Sequence, residues 1–277
     1  MRSFFSSLSI IINYRTFLIT FLSIFGTWLC VRLGVFAEIS LSMVSVAIVF
    51  PIVFAINSAY QRREEALRHL AGIKGHAVSV FLAVKHWGEH GTASQELLSS
   101  ITDQLKKMLN EVKDYLKSAK FEDHEMRVYS SFSHLSNRLQ GMRSTVGSSE
   151  MSRINEYVSM ITVDFEELKI VREYRTPITL RTYSRAFIFS FPILLSPSFA
   201  SSINIFTIPI ITYVIPLMYS FILISLINIQ EHMEDPFDGI GEDDIKIQST
   251  RFGKLLDGLD KEMFPGAMHY PNSKIAG

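Results

Sequence analysis

Val46, Phe50 and Phe54 recur every four residues, so on an α-helix they fall along one face. One turn further the same row reaches Ser58, with Asn57 beside it. An apolar face that ends in an amide and a hydroxyl suits a pore-lining helix, because a ring of such apolar side chains gates by dewetting. The edges of aromatic rings carry partial positive charge, which favours a poorly hydrated anion. The spacing alone also fits a helix face that contacts lipid or another helix.

Patterns for catalysis and metal binding are scarce in this sequence. His86 and His90 would share a helix face, as some zinc ligands do, but Gly88 and Gly91 weaken a helix there and no nearby cysteine or carboxylate completes a site. The chain has no Glu-x-x-His pair for a di-iron centre, no phosphate-binding glycine loop and no Gly-x-Ser-x-Gly motif. Its single cysteine, Cys30, excludes an internal disulfide. We therefore expect neither an enzyme nor a resident cofactor.

The longest uncharged stretch covers residues 186–230, between Arg185 and Glu231. As one helix it would extend roughly 68 Å, over twice the ~30 Å hydrocarbon core of a bilayer. It must therefore fold back, and the serines, proline and asparagine within residues 196–204 supply the turn. This stretch predicts two membrane helices joined by a short loop.

Two further apolar segments lie near the N-terminus, at residues 16–37 and 39–60, and Arg32 is their only charged residue. Each is long enough to span a bilayer, which makes four spans and places both termini on one side. Basic residues cluster after the second span and before the third. The loops that join the first span to the second and the third to the fourth contain one charged residue, Glu38. The positive-inside rule therefore predicts a multi-pass membrane protein with cytoplasmic termini and a cytoplasmic central segment.

The central segment, residues 61–180, is predicted to be a soluble helical domain. Residues 61–86 follow the second span without a break, so that helix should continue into the cytoplasm. Further helices are predicted at residues 95–120, 124–142 and 149–174. The first of these is amphipathic, with apolar residues at three- and four-residue spacing. They are Leu98, Ile101, Leu105, Met108, Val112 and Leu116.

The expected fold is an all-α membrane protein with four transmembrane helices and a cytoplasmic helical domain between the second and third. Its parts are an N-terminal segment with the first helix pair (1–60), the cytoplasmic domain (61–180), the second helix pair (181–230) and a cytoplasmic tail (231–277). Hydrophobic residues reach 48%, and 27 basic side chains balance 27 acidic ones. The lipid bilayer is thus the expected surrounding, and the balanced charge gives no reason to expect nucleic acid as a partner.

Three short segments resemble the bestrophins, the pentameric chloride channels and their bacterial and plant relatives. Residues 54–62, Phe-Ala-Ile-Asn-Ser-Ala-Tyr-Gln-Arg, are similar to the end of the family's second membrane helix. Residues 174–178, Tyr-Arg-Thr-Pro-Ile, resemble the start of its third span. Residues 234–237, Glu-Asp-Pro-Phe, with the acidic run at 242–245, resemble the stretch after its last span. The resemblance implies a homo-oligomer, a pentamer, that conducts chloride or other small anions through a central pore lined by the second helix.

Carried over residue by residue, the family's pore neck falls on Val46, Phe50 and Phe54. These are the same three residues that the helix-face pattern selects. Asn57 and Ser58 would then lie at the inner end of the pore.

The motif after the last span comprises Asp235, Pro236, Phe237, Asp243 and Asp244. In animal bestrophins the corresponding acidic stretch helps to form a calcium clasp, and Asp243 and Asp244 would supply suitable oxygen ligands. The spacer between the Pro-Phe pair and the acids is longer here than in those channels. A plain acidic loop is therefore expected, with calcium as the alternative.

The sequence thus predicts passive anion conduction, with chloride as the first ion to test. The alternative from another class is a non-conducting membrane scaffold or sensor whose cytoplasmic helices bind a partner protein. A scaffold has no use for an apolar helix face that ends in Asn57 and Ser58. A secondary transporter is disfavoured, because no predicted span contains an acid that could bind a proton or sodium.

Overall fold

The computed structural model describes residues 12–87, 95–144, 146–174, 177–201, 210–239 and 244–261. The regular elements in these residues are helices and no strand occurs among them, which confirms the all-α prediction. In chain order they are α1 (Tyr14–Leu33), α2 (Leu41–Trp87), α3 (Gln95–Lys117), α4 (Glu122–Gln140), α5 (Ser148–Glu173), α6 (Ile178–Leu194), α7 (Ser196–Ser201), α8 (Ile211–Met233) and α9 (Ser249–Lys261).

The chain forms two compact units. The first combines Met1–Leu70 with Glu166–Lys246, and the second combines Ala71–Phe165 with Ile247–Gly277. Helix α2 contributes its first part to the first unit and its second part to the second, so the predicted continuation through residues 61–86 is confirmed. The predicted C-terminal tail is divided between the units, because α9 belongs to the second.

Helix α1 has well-defined ends that its sequence explains. The Asn13 side chain accepts hydrogen bonds from the backbone N–H groups of Arg15 (3.0 Å) and Thr16 (3.3 Å), and the Thr16 hydroxyl accepts one from the N–H of Asn13 (3.3 Å). This reciprocal arrangement is a capping box. The helix ends at Gly34, whose φ of 67° lies in the left-handed region that glycine adopts without strain. It therefore stops before residue 37, the predicted end of the first span.

Two helices of the described residues are long and apolar enough to cross a bilayer, judged by length and composition. They are α1, with 20 residues and a mean hydropathy of 1.7, and α8, with 23 residues and a mean hydropathy of 1.8. The other two predicted spans fall on the first part of α2 and on α6. Helix α6 has 17 residues and contains Pro192.

The link predicted as a turn at residues 196–204 begins differently. Residues Ser196–Ser201 form the short helix α7, and residues 202–209 lie outside the described part of the chain. Pro197 is compatible with this helix because the first turn of a helix has no partner for its backbone N–H groups. The Ser-Pro-Ser residues predicted to begin the turn therefore form the first turn of a short helix instead.

Small polar residues let α1 approach α6 and α7 closely. The Ser23 hydroxyl donates to the carbonyl oxygen of Pro192 (2.8 Å). A Cβ placed on Gly26 would lie 2.5 Å from the Ser196 hydroxyl oxygen, so a larger residue there would force a shift. Such small residues are typical of helix contacts in membranes.

In the second unit, α3 buries the face that the sequence pattern predicts. The six apolar residues of that pattern, from Leu98 to Leu116, are at most 5% exposed. Next to this face lies an aromatic cluster around Phe165. The centroid of its ring lies 5.2 Å from that of Tyr115, 5.7 Å from that of Tyr129 and 5.6 Å from that of Phe132. Edge-on ring contacts at this separation add to the stability gained from apolar burial.

Candidate functional site

The predicted row on α2 is exposed along its length. Val46 is 66% exposed, Phe50 62% and Phe54 56%. The Phe50 and Phe54 rings meet edge to face, with centroids 4.7 Å apart and an interplanar angle of 80°. This arrangement keeps both rings on one side of the helix. We call the side chains of Val46, Phe50 and Phe54 the apolar row.

The opposite face of α2 forms the core of the first unit. Ile48 and Ile52 are 3% and 1% exposed, and they pack in one buried cluster with isoleucine and leucine side chains of α6 and α8. These partners are Ile188, Leu223, Ile224 and Ile227. Packing within a single chain therefore buries one face of α2 and leaves the apolar row exposed.

Beyond the apolar row, polar groups follow within the next turn. Asn57 is exposed and Ser58 is half-buried, while Ala55 and Ala59 lie on the buried face. One turn further, Arg62 donates from Nη2 to the carbonyl oxygen of Val171 at 2.6 Å, which fixes α2 to the end of α5. The change from apolar to polar predicted from the sequence is thus present on the exposed side of the helix.

Arginines that precede the third predicted span pair with acids that follow the last one. Arg172 Nη1 lies 2.9 and 2.8 Å from the two carboxylate oxygens of Asp235. Arg181 Nη1 lies 3.0 Å from Glu234 Oε2, and that carboxylate is only 5% exposed. Charge-assisted bonds of this kind are stronger than neutral ones. They join the end of α5 and the first turn of α6 to the residues that follow α8.

A third acid at this end of the unit pairs with two more cations. Glu231 lies 2.7 Å from Arg185 Nε and 3.4 Å from Arg15 Nη1. Nearby, Asn228 bonds with Asn13 (3.0 Å) and Thr16 (3.1 Å), so the cap of α1 is tied to α8. Sequence reasoning used the arginines only for orientation and missed these pairings. The sequence does contain a signal for these pairings: acidic residues follow the last apolar segment, and basic residues precede the third.

The motif after the last span has a structural role in its first half. Asp235 accepts a hydrogen bond from the backbone N–H of Phe237 (3.2 Å) in addition to its ion pair with Arg172, and Phe237 is 2% exposed. The N–H of Ile245 donates to the carbonyl oxygen of Pro236 (2.9 Å), which closes the loop. Asp243 lies outside the described residues.

Asp244 lies in a cavity of about 250 Å³ in the first unit. Burial raises the pKa of its carboxyl from 3.8 to about 6, helped by a hydrogen bond and charge repulsion from Asp238, while His232 and the Gly239 backbone act in the opposite direction. Its Oδ2 oxygen is buried and has no hydrogen-bond partner among the described residues. The other residues lining the cavity are Tyr60, Arg63, His232, Met233 and Pro236.

Two carboxylates of this region already have other partners within the described chain. The Asp235 carboxylate is already bound by Arg172, and Asp244 shares a hydrogen bond with Asp238. No group of three or more metal-binding side chains occurs among the described residues. Because Asp243 falls outside them, the plain acidic loop stays a prediction and calcium binding stays its alternative.

Replacing Arg172 with alanine is expected to destabilise the fold by about 3–5 kcal/mol, because it removes the guanidinium that neutralises the largely buried Asp235 carboxylate. The two side chains are only 10% and 16% exposed. Chemical unfolding in mild detergent measures the change. Asp257→Ala is a matched control, since the Lys106–Asp257 pair is more exposed (29% and 50%) and should cost at most about 1 kcal/mol. Equal losses in both variants would contradict the structural role of Arg172.

Asp244 predicts a pH dependence of stability. Its pKa is higher in the folded state, so the folded protein binds the proton more tightly and gains stability below the unfolded value of 3.8. This contribution is lost as the pH rises through about 6. Asp244→Asn should therefore raise the melting temperature near neutral pH, and its advantage should shrink near pH 4. The exposed Glu167→Gln serves as the control, and a pH-independent effect of Asp244→Asn would contradict the prediction.

Comparison with known proteins identifies the fold. No family model matches the chain, and no curated protein matches it. Two crystal structures of variants of a bacterial bestrophin homologue from Klebsiella pneumoniae superimpose with TM-scores of 0.77 and 0.73 at 14% and 15% sequence identity. They cover 90% and 88% of this chain, and the chain covers 98% of each. A crystal structure of a membrane protein variant matches with a TM-score of 0.75, at 14% identity over 89% of this chain and 97% of its own.

These matches agree with the resemblance of the three short sequence segments. Because the sequence identity is low, they establish the fold alone. They also agree with the assignment of the chain as a helical membrane protein. The chain has a bestrophin-like fold.

Proposed function

We propose that this protein is a homo-oligomeric anion channel whose pore is lined by α2, with the apolar row as its neck. The observation that carries the proposal is the contrast between the two faces of α2. The fold of one chain buries Ile48 and Ile52 and leaves Val46, Phe50 and Phe54 more than half exposed. The bestrophin-like fold supports the same function, since bestrophins are anion channels.

A pore lined by one helix per subunit requires several subunits. The first unit already uses the buried face of α2 for its own core, so a pore must form from the exposed face. Closed cyclic symmetry would bring identical rows together around one axis. A pentamer is the number that the bestrophin resemblance implies. The mass of the purified protein in mild detergent tests this directly, and a conducting monomer would contradict it.

The proposed mechanism relies on the apolar row as a hydrophobic constriction. Rings of valine and phenylalanine side chains exclude water when narrow, which stops ions, and admit water when they widen. The positive edges of the phenylalanine rings favour an anion that has lost part of its hydration shell. Asn57 and Ser58 would offer hydrogen-bond donors to the anion at the inner end.

Four membrane spans complete the proposal, and among the described residues length and composition single out α1 and α8. The first part of α2 would be the second span, and α6 with α7 would form the third. Cytoplasmic termini follow from the positive-inside rule. The pairing of Arg172 and Arg181 with acids does not oppose this orientation, because acidic residues contribute little to the rule. In this account the protein conducts ions passively and catalyses no reaction.

Chloride efflux from liposomes tests the function. We expect purified protein to release chloride faster than protein-free liposomes of the same lipid, and to release potassium no faster than those controls. The measurement should be repeated with and without calcium and at several pH values. Chloride release at the level of empty liposomes in all conditions would favour the alternative, a non-conducting scaffold or sensor.

A further inference from the structure

The second unit contains a cavity of about 550 Å³ between the second part of α2 and the region of α9. Lys74, Gly75 and Val78 line it from α2. Gln248, Arg251, Phe252 and Leu255 line it from α9 and the residue before it. The volume is within the range of small-molecule sites in proteins, about 300–1,000 Å³. It far exceeds what a chloride ion would fill.

Among the described residues, two cations and no acid line this cavity. Lys74 has no ion pair or hydrogen bond from its side chain within the described residues, and Arg251 bonds only the neutral Gln248 side chain, at 3.4 Å. Two other lysines of the same unit do have partners. Lys106 pairs with Asp257 at 2.6 Å, and Lys85 donates to the carbonyl oxygen of Leu259.

The arrangement of the two cations is unfavourable without an anion. Partial burial lowers the pKa of Lys74, and repulsion from Arg251 lowers it further. A negative charge placed between the two side chains would oppose both effects, because it favours the charged form of Lys74. The folded protein therefore keeps two like charges together at one cavity where an anion would stabilise both.

Apart from Gln248, the rest of the described cavity wall is apolar. Leu255 is 50% exposed and Val78 is half-buried, whereas Phe252 lies beneath them at 4% exposure. A Cβ placed on Gly75 would have no atom within 4 Å, so this side of the helix faces open space. An apolar wall beside a pair of cations matches a ligand that has a charged end and an apolar body.

We propose that this cavity binds a small organic anion, with its carboxylate or phosphate group between Lys74 and Arg251 and its apolar body against Val78 and Leu255. The planar guanidinium of Arg251 suits both groups because it can donate two parallel hydrogen bonds. The proposal does not depend on the channel function, since none of these residues belongs to the apolar row.

Calorimetric titration of the full-length protein in detergent, at low chloride, tests the site with three probes. Phenyl phosphate carries both the charge and the apolar body, inorganic phosphate lacks the body, and phenol lacks the charge. We expect phenyl phosphate to bind at least about tenfold more tightly than either of the others. Absence of phenyl phosphate binding, or equal binding of inorganic phosphate, would overturn the proposal.

Variants then locate the binding. Lys74→Gln and Arg251→Gln should each weaken phenyl phosphate binding about tenfold or more, since each removes a charge-assisted contact. Lys254→Gln removes a charge from the same helix outside the cavity lining and should leave binding unchanged. Equal weakening in all three variants, or in none, would contradict the assigned site.

Gly75→Leu separates binding from folding. The leucine side chain would enter the cavity and block the ligand, whereas replacing glycine within a helix favours the folded state. We therefore expect loss of binding with an equal or higher melting temperature. Lys74→Gln should likewise not lower the melting temperature, because it removes like-charge repulsion. Retained binding in Gly75→Leu would overturn the proposal.

Discussion

Replacing Val46, Phe50 and Phe54 together with alanine is expected to raise single-channel chloride conductance several-fold. Each replacement removes side-chain volume from the proposed neck, so the constriction widens and stays wet for more of the time. The three side chains are exposed in the single chain, so the change should cost little within each subunit. Planar bilayer recording of the purified triple variant measures the effect.

The outcome that would contradict the proposed neck is a triple variant with wild-type conductance and wild-type gating. A control for channel assembly is the oligomer mass in mild detergent. If the variant conducts more strongly and its oligomer mass is unchanged, the increase comes from the pore and not from altered assembly. Selectivity is a second readout, because loss of the phenylalanine edges should reduce the preference for chloride over potassium.

Replacing Ile48, Ile52 and Ile56 with alanine is expected to destabilise the protein strongly. Ile48 and Ile52 lie in the buried cluster at 3% and 1% exposure, and Ile56 packs against it. Truncation of a buried isoleucine costs about 2–5 kcal/mol, through lost apolar transfer and the cavity that remains. Thermal unfolding in detergent should show a much lower melting temperature than that of the apolar-row variant.

The comparison between the two triple variants is matched in number of residues and in the same helix turns. If the isoleucine set changed conductance and the apolar-row set only lowered the melting temperature, the pore face would be wrongly assigned. Pro51 lies between Phe50 of one set and Ile52 of the other, and it removes one helix hydrogen bond. The cluster around Ile48 and Ile52 shows that the helix keeps the same buried face on both sides of this proline.

Local sequence patterns predicted the helices well. The apolar spacing from Leu98 to Leu116 identified the buried face of α3, because packing in a helical domain requires one continuous apolar stripe. The unbroken sequence after Tyr60 likewise predicted that α2 continues through residues 61–86, and the helix ends at Trp87. Helix ends were less accurate where a single residue decides them, as Gly34 does for α1.

Contacts between distant segments could not be predicted from the sequence. Arg172 and Asp235 are far apart in the chain, and only the fold brings them within 2.8 Å. The same is true of Lys74 and Arg251, which line one cavity from two helices. The raised pKa of Asp244 depends on burial and on Asp238, neither of which a motif reveals. Local spacing determines which face of a helix is apolar, whereas such pairings depend on how the helices pack.

The most direct test of the proposed pore is the accessibility of one introduced cysteine during chloride efflux. The Cys30→Ser protein provides a cysteine-free background. Asn57→Cys places a thiol at the proposed inner end of the pore, and Ala55→Cys places one on the buried face, where Ala55 is 0% exposed. A negatively charged methanethiosulfonate reagent should sharply reduce chloride efflux through Asn57→Cys and leave Ala55→Cys unaffected. Complete labelling of Asn57→Cys with unchanged efflux would contradict a pore lined by this face of α2.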